Sequence, residues 1–259
     1  MFTSMLLSLA ACAPGPNAET MIEELRVVAA VASPPELPPD GATTMVFHVA
    51  DPLLESPEVL LWSPQLGQLW LPELTAEGTV SVEVAPDEVL AASASDVPAP
   101  VAIWALACAP GLCEVIDRAR AEQPGTSLSA ELMTELQDPS ALLDALPMIG
   151  VSLAAKRFYV STRPEAERAS NPVLSSIGAV PGAEADALEL RFDVSATTEV
   201  ELWGFATAGG FGRPFVTAAA GVSSLAYYPA TTSDGEVFVV AVQADGGGAV
   251  WRGRAAELR

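Results

Sequence analysis

Between Leu188 and Val194 apolar and charged residues take strict turns. Leu188, Leu190, Phe192 and Val194 fall on one side, and Glu189, Arg191 and Asp193 on the other. A period of two is the mark of a β-strand with one face buried and one face in water. Further short stretches with strand character follow it: Glu199 to Phe205, Val222 to Tyr228, Val237 to Val242 and Ala249 to Ala255. Turn-forming runs such as Ser233-Asp234-Gly235 and Asp245-Gly246-Gly247-Gly248 separate them. Short strands at this spacing predict a β-sandwich.

The preceding part of the chain reads in the same way. Leu25, Val27, Ala29 and Val31 are expected to share one face of a strand over Glu24 to Ala32. The proline-dense run from Ser33 to Gly41 ends it, because each proline removes a donor and pushes its predecessor away from helix. Met45, Phe47 and Val49 supply the inward face of the next strand, which Asp51-Pro52 closes. Glu58 to Trp62, Gly67 to Leu71, Thr79 to Val84, Val101 to Cys108 and Val151 to Ser161 continue the pattern.

Between Gln123 and Pro147 the period changes. Leu128, Leu132 and Leu136 recur at helical spacing, and Asp138-Pro139 offers a cap and a first-turn proline for a second helix, Ser140 to Leu146. Residues 109–150 are therefore expected to form a helical insertion in the first sandwich. Arg163 to Asn171 is polar, ends at Pro172, and reads as a linker. The expected division is 21–162 for the first sandwich, 163–175 for the linker and 176–259 for the second sandwich.

Phe47-His48-Val49 followed by Glu58-Val59-Leu60-Leu61-Trp62 has a later counterpart. Phe192-Asp193-Val194 is followed by Glu199-Val200-Glu201-Leu202-Trp203. Two copies of one sandwich explain this economically. The order of elements resembles immunoglobulin-like domains. More narrowly, it is similar to predicted lipoproteins of unknown function from high-GC Gram-negative bacteria. The resemblance is carried by Glu24-Leu25-Arg26-Val27 with Pro34-Pro35-Glu36, by Ala50-Asp51-Pro52, by Asn171-Pro172, and by Val239 to Trp251. It implies an all-β fold of two immunoglobulin-like β-sandwiches in tandem, with the helical insertion in the first. Alternation sets Trp62 beside Leu60 and Trp203 beside Glu201, so the buried tryptophan of antibody domains is not carried over to either.

Residues 1–11 hold no charge, are mostly apolar, and end in two alanines before Cys12. Small residues at that place suit a signal peptidase. The order Leu9-Ala10-Ala11-Cys12 resembles the lipobox of bacterial lipoproteins. That resemblance implies removal of residues 1–11 as a signal peptide and lipidation of Cys12, with 12–20 as a tether. Each buried methylene adds about 0.8 kcal/mol, so two or three acyl chains hold a protein on a membrane. Ala13 is not the aspartate that favours inner-membrane retention in such proteins. The expected location is the cell envelope, on the outer membrane of a Gram-negative bacterium.

The formal net charge is -21. An acidic surface of that size repels phosphate backbones and anionic headgroups, which argues against a nucleic-acid partner and against attachment through a basic patch. The uncharged stretches Val97 to Cys113 and Pro214 to Ser233 are broken by prolines and hydroxyl side chains and are poor spanning segments.

The chemistry available is sparse. Cys108 and Cys113 flank Ala109-Pro110-Gly111-Leu112, and outside the cytosol such a pair favours a disulfide over free thiols. Further Cys or His would be needed nearby for a metal, and none follows. His48 is the only histidine; alternation turns it away from Met45, Phe47 and Val49, toward an expected surface position. No Gly-x-Ser-x-Gly elbow is present. Asp40-Gly41, Asp234-Gly235 and Asp245-Gly246 lack calcium-loop spacing and suit tight turns. No catalytic, cofactor-binding or metal-binding residue is assigned. Leu132, Met133 and Leu136 are expected to cover the first sandwich in preference to forming a binding face. The expectation is a non-enzymatic, membrane-anchored binding or structural module, with a protein or glycan partner. The alternative is an envelope hydrolase with its site at the 109–150 insertion.

Overall fold

The structure, a computed structural model, describes residues 17–52, 56–122, 130–138, 150–184, 186–231 and 235–258. Cys12 and the expected helix Ser140 to Leu146 lie outside these residues, as do Leu128 and Asp234.

The chain first forms β1 (Arg26–Ser33), β2 (Glu36–Leu37), β3 (Thr43–Ala50), β4 (Glu58–Ser63), β5 (Gln68–Trp70) and β6 (Thr79–Val84). Helix α1 (Glu88–Ser93), β7 (Ala99–Cys108), α2 (Glu114–Glu122), α3 (Ala130–Gln137) and β8 (Val151–Val160) follow. One sheet has the order β1-β3-β6 and the other β2-β8-β7-β4-β5. Met45, Phe47 and Val49 face Leu61, Ile103, Ala105 and Phe158 across the gap between them. The second half forms β9 (Val173–Pro181), β10 (Leu188–Ser195), β11 (Val200–Ala206), β12 (Gly210–Phe211), β13 (Phe215–Ala218), β14 (Gly221–Tyr228), β15 (Glu236–Gln243) and β16 (Gly248–Arg254). Its sheets are β12-β14-β10-β9 and β13-β11-β15-β16. Leu190, Phe192 and Val194 meet Leu202, Val239 and Ala241 in a second core. The fold is all-β, built from two immunoglobulin-like sandwiches.

The strand orders repeat. β9-β10-β14 reproduces β1-β3-β6, and β13-β11-β15-β16 reproduces β5-β4-β7-β8. The copies differ most between their last two strands. β15 reaches β16 through residues 244–247, whereas the corresponding connection from β7 to β8 carries α2 and α3. Val115, Ile116, Ala119, Leu132 and Leu136 pack on Leu60, Trp62 and Leu106, the outer face of the β4–β7 sheet. That sheet is thus covered on both sides, which explains why β4 is buried nearly throughout. Helix α2 begins at Glu114, before the span in which the sequence period changes.

Two expected placements differ. The register of β1 against β3 shifts between Val27 and Ala29. A bulge flips all later side chains to the other face, so Ala30 and Ala32 join the core and Val31 does not. Strand β9 begins at Val173, inside the expected linker, and hydrogen-bonds to β10 from its first residue.

The sandwiches lie side by side. Arg26, at the start of β1, sits over the Phe205 ring at 4.9 Å. Beyond the other end of β1, Asn171 donates to the Ala32 carbonyl and accepts from the Gly248 amide, at 2.8 and 2.9 Å. Val28, Ala50 and Ile22 pack with Phe205, Phe238 and Val250 between the two bodies. Strand β1 therefore runs along the second sandwich from its entry end, near Phe205, to its connector end, near Asn171.

The connector is held down by Glu36, which is only 3% exposed. Its carboxylate accepts from the Ser161 hydroxyl at 2.5 Å, the Ala169 amide at 2.8 Å and the Arg163 guanidinium at 3.3 Å. A buried charge persists only when its oxygens are occupied in this way.

Candidate functional site

Cys108 and Cys113 are joined in a disulfide, with Cα atoms 6.1 Å apart. The bridge ties the last residue of β7 to the residue before α2, and both cysteines are buried in the layer beneath the helices. This is a structural role. Reduction of the unfolded protein is expected to add about two hydrogens in mass. Loss of so small a loop costs about 2 kcal/mol in the chain-entropy account. An unchanged mass would remove the bridge.

His48 is not a free surface side chain. It is half-buried, paired with Ala29 on one side and Thr79 on the other. Its Nδ1 and the Nη1 of Arg252 are both buried without a hydrogen-bond partner among the described residues. Burial first, and the Arg252 guanidinium second, lower its pKa to about 4. Alternation rightly turned His48 out of the first core; β16 of the second sandwich then covers it.

The Asp-Gly turn at 245–246 is a docking element. The Asp245 carboxylate accepts from the Gly247 amide at 3.2 Å, and the Gly246 carbonyl accepts from Lys156 Nζ at 2.7 Å. A Cβ at Gly246 would meet the Tyr159 ring at 2.6 Å, so only glycine lets this turn seat against β8.

A cleft with chemically varied walls lies at the open edge of the second sandwich. Strand β12 pairs with β14 only at Tyr227 and Tyr228. Gly212 then donates to the Ala226 carbonyl, and the chain crosses to β13 in the opposite sheet. From Gly221 to Leu225 the outer edge of β14 has no strand neighbour among the described residues. The cleft between these edges has a volume of about 420 Å³. Val216, Leu225 and Ala187 form its apolar floor, and Glu184, Glu189, Arg213, Ser224 and Tyr228 line its rim.

The rim is ordered by hydrogen bonds. The Tyr228 hydroxyl donates to Glu184. The Ser224 hydroxyl first, and Arg191 second, hold the Glu189 carboxyl below the ordinary carboxylate range. An ionised carboxylate of lowered basicity is a poor general base, and it is not a proton donor at neutral pH. The Ser224 hydroxyl is engaged with it. Arg213 is exposed and makes no ion pair among the described residues. Fixed carboxylates, one free guanidinium and an apolar floor suit recognition of a polar ligand better than bond breaking. The cleft depends on contacts between strands of opposite sheets, which sequence periodicity does not encode.

Among the described residues no group of three or more His, Cys, Asp or Glu is placed to hold a metal ion. Among them, too, no helix is long and apolar enough to cross a membrane.

No protein-family model matches this chain, and no curated protein matches it. Among solved structures it is similar to an adhesin of Yersinia pseudotuberculosis at 10% identity and a TM-score of 0.24, covering 90% of this chain and 60% of that one. It is also similar to a bacterial ice-binding adhesin of 1.5 MDa, at 11% identity and a TM-score of 0.27, covering 92% and 65%. A membrane-anchored protein from Corynebacterium diphtheriae matches at 9% identity and a TM-score of 0.28, covering 92% and 58%. The chain spans about three fifths of the length of these solved chains.

Proposed function

We propose that the chain is a non-enzymatic envelope lipoprotein, held on a membrane through Cys12, whose two sandwiches form a binding or structural module. The reading rests first on the lipobox-like Leu9-Ala10-Ala11-Cys12. The observation that supports a binding role is the cleft beside β14. Ser224 first and Arg191 second hold the Glu189 carboxyl below the ordinary carboxylate range, Tyr228 donates to Glu184, and the Arg213 guanidinium makes no ion pair among the described residues. Such a rim orients a polar partner, protein or glycan, without supplying an acid–base pair. The lone histidine is neutral and lies under Arg252, outside the set of residues that line the cleft. By its resemblance to lipoproteins that lack an aspartate after the cysteine, the protein belongs on the outer membrane of a Gram-negative envelope.

Cys12→Ser tests the anchor. The wild-type protein is expected in detergent-extractable membranes, with an acylated amino terminus by mass spectrometry. The variant is expected in the soluble fraction, unacylated. Wild-type protein that carries no acyl mass, or a variant that stays with membranes, would overturn the reading.

A further inference from the structure

The stretch after Cys12 reads in the sequence as a loose tether, yet from Asn17 onward it is built into the body, and into the second sandwich. The Asn17 amide donates to the Phe211 carbonyl at 2.7 Å, and the Ile22 amide donates to the Ala206 carbonyl at 2.7 Å. Thr20 is fully buried. Its hydroxyl accepts from the Phe211 amide at 2.8 Å and donates to the Asn17 carbonyl at 2.6 Å. Met21 bridges to Ala206, and Ile22 is 3% exposed against Phe238 and Phe205. Only after this crossing does the chain enter β1. Residues 17–22 are a clasp across the entry end of the second sandwich, where β11, β12 and β14 end or turn.

We propose that this clasp turns the entry end of the second sandwich toward a lipid surface and the connector end away from it. The inference rests on acylation at Cys12. Five peptide steps separate Cys12 from Asn17, a reach of at most about 18 Å. The eight residues of β10, Leu188–Ser195, span about 27 Å between the two ends. The tether is thus shorter than the sandwich, so the body cannot invert on it. Lipid holds this end down without help from headgroup attraction. Among the described residues Glu19, Glu23, Glu24, Glu184, Asp186 and Glu257 are exposed there, with Arg26, Arg213 and Arg254 as the nearby exposed cations. Anionic headgroups repel such a surface, and the repulsion is screened by salt.

The disulfide makes the test simple. With Cys12 acylated and Cys108 bridged to Cys113, an introduced cysteine is the only free thiol. Ala183→Cys labels the entry end and Ala220→Cys the connector end; both sites are exposed. Full-length acylated protein carrying a fluorophore at either site is reconstituted in phosphatidylcholine vesicles containing a headgroup-quencher lipid. The Ala183 label is expected to be quenched about twofold or more relative to the Ala220 label, given the reach and body length above. Thr20→Val leaves the Phe211 amide without its acceptor. It is expected to speed hydrogen exchange at that amide about tenfold and to narrow the difference between the two labels. Equal quenching at both sites, or stronger quenching at Ala220, in protein that is acylated and vesicle-bound overturns the orientation alone. Absence of the acyl mass overturns the orientation and the anchor together.

Discussion

Trp62→Ala is expected to destabilise the first sandwich by about 3–5 kcal/mol, the range for emptying a fully enclosed tryptophan site. Trp62 is 0% exposed, stacks on Trp104 at 6.2 Å between ring centroids, and donates its indole N–H to the Leu136 carbonyl at 2.9 Å. That carbonyl belongs to the last turn of α3, where the helix supplies no donor of its own. The side chain therefore fills the space under the helices and also caps one of them. Its counterpart in the second copy serves as an internal control. Trp203 is half-buried, stacks on Phe215 at 4.7 Å and donates to Glu201 at 3.1 Å. Trp203→Ala should cost on the order of 1 kcal/mol. Urea unfolding of both variants, with hydrogen exchange along β4 and α3, separates the two outcomes. Trp62→Phe keeps most of the packing and loses the cap, so it should fall between them. Equal costs for the two tryptophans would mean that α2 and α3 do not seal the outer face of β4.

The contrast also shows which parts of the fold are legible in a sequence. Alternation along a single strand carries its own answer. It placed Leu188 to Val194 correctly, and it put Trp62 with Leu60 and Trp203 with Glu201, on the faces where they are found. It fails where a face is decided by something far along the chain. The extra residue near Val28 shifts register with no mark in composition. Val115, Ile116 and Ala119 make only two turns of helical pattern, too few to stand out from the strands around them. Glu36 sits in a proline-rich run and looks solvated, but Ser161, Arg163 and Ala169 come from more than a hundred residues away to bury it. The same limit hid Thr20, whose partner Phe211 is 191 residues distant. The cleft beside β14 has no local signature at all. Its rim combines the β9–β10 turn with β14 and the crossing from β12 to β13.

Acidification is expected to weaken the protein between pH 6.5 and about 4 through His48, and His48→Val should abolish that component. The imidazole is surrounded by Ala29 of β1, Thr79 of β6 and Arg252 of β16, with Glu236 engaged by Arg252. Burial is the larger cause of its lowered pKa, and the neighbouring guanidinium is the smaller. The sign follows from proton binding. Below pH 6.5 the unfolded chain takes up a proton on this residue, while the folded protein resists until about 4. The unfolded state binds more protons across that window, so stability rises with pH there. The contribution is complete above pH 6.5 and lost as pH falls, and the interval corresponds to about 3 kcal/mol. Titrating carboxylates affect wild type and variant alike, so the difference between their stability curves isolates the histidine. As the only histidine, its ring gives one set of NMR signals, which should titrate near pH 4. Arg252→Met should move that midpoint upward only part of the way, because burial remains. Parallel stability curves for wild type and His48→Val, or a midpoint near 6.5, would show that the second sandwich does not cover this face of β3.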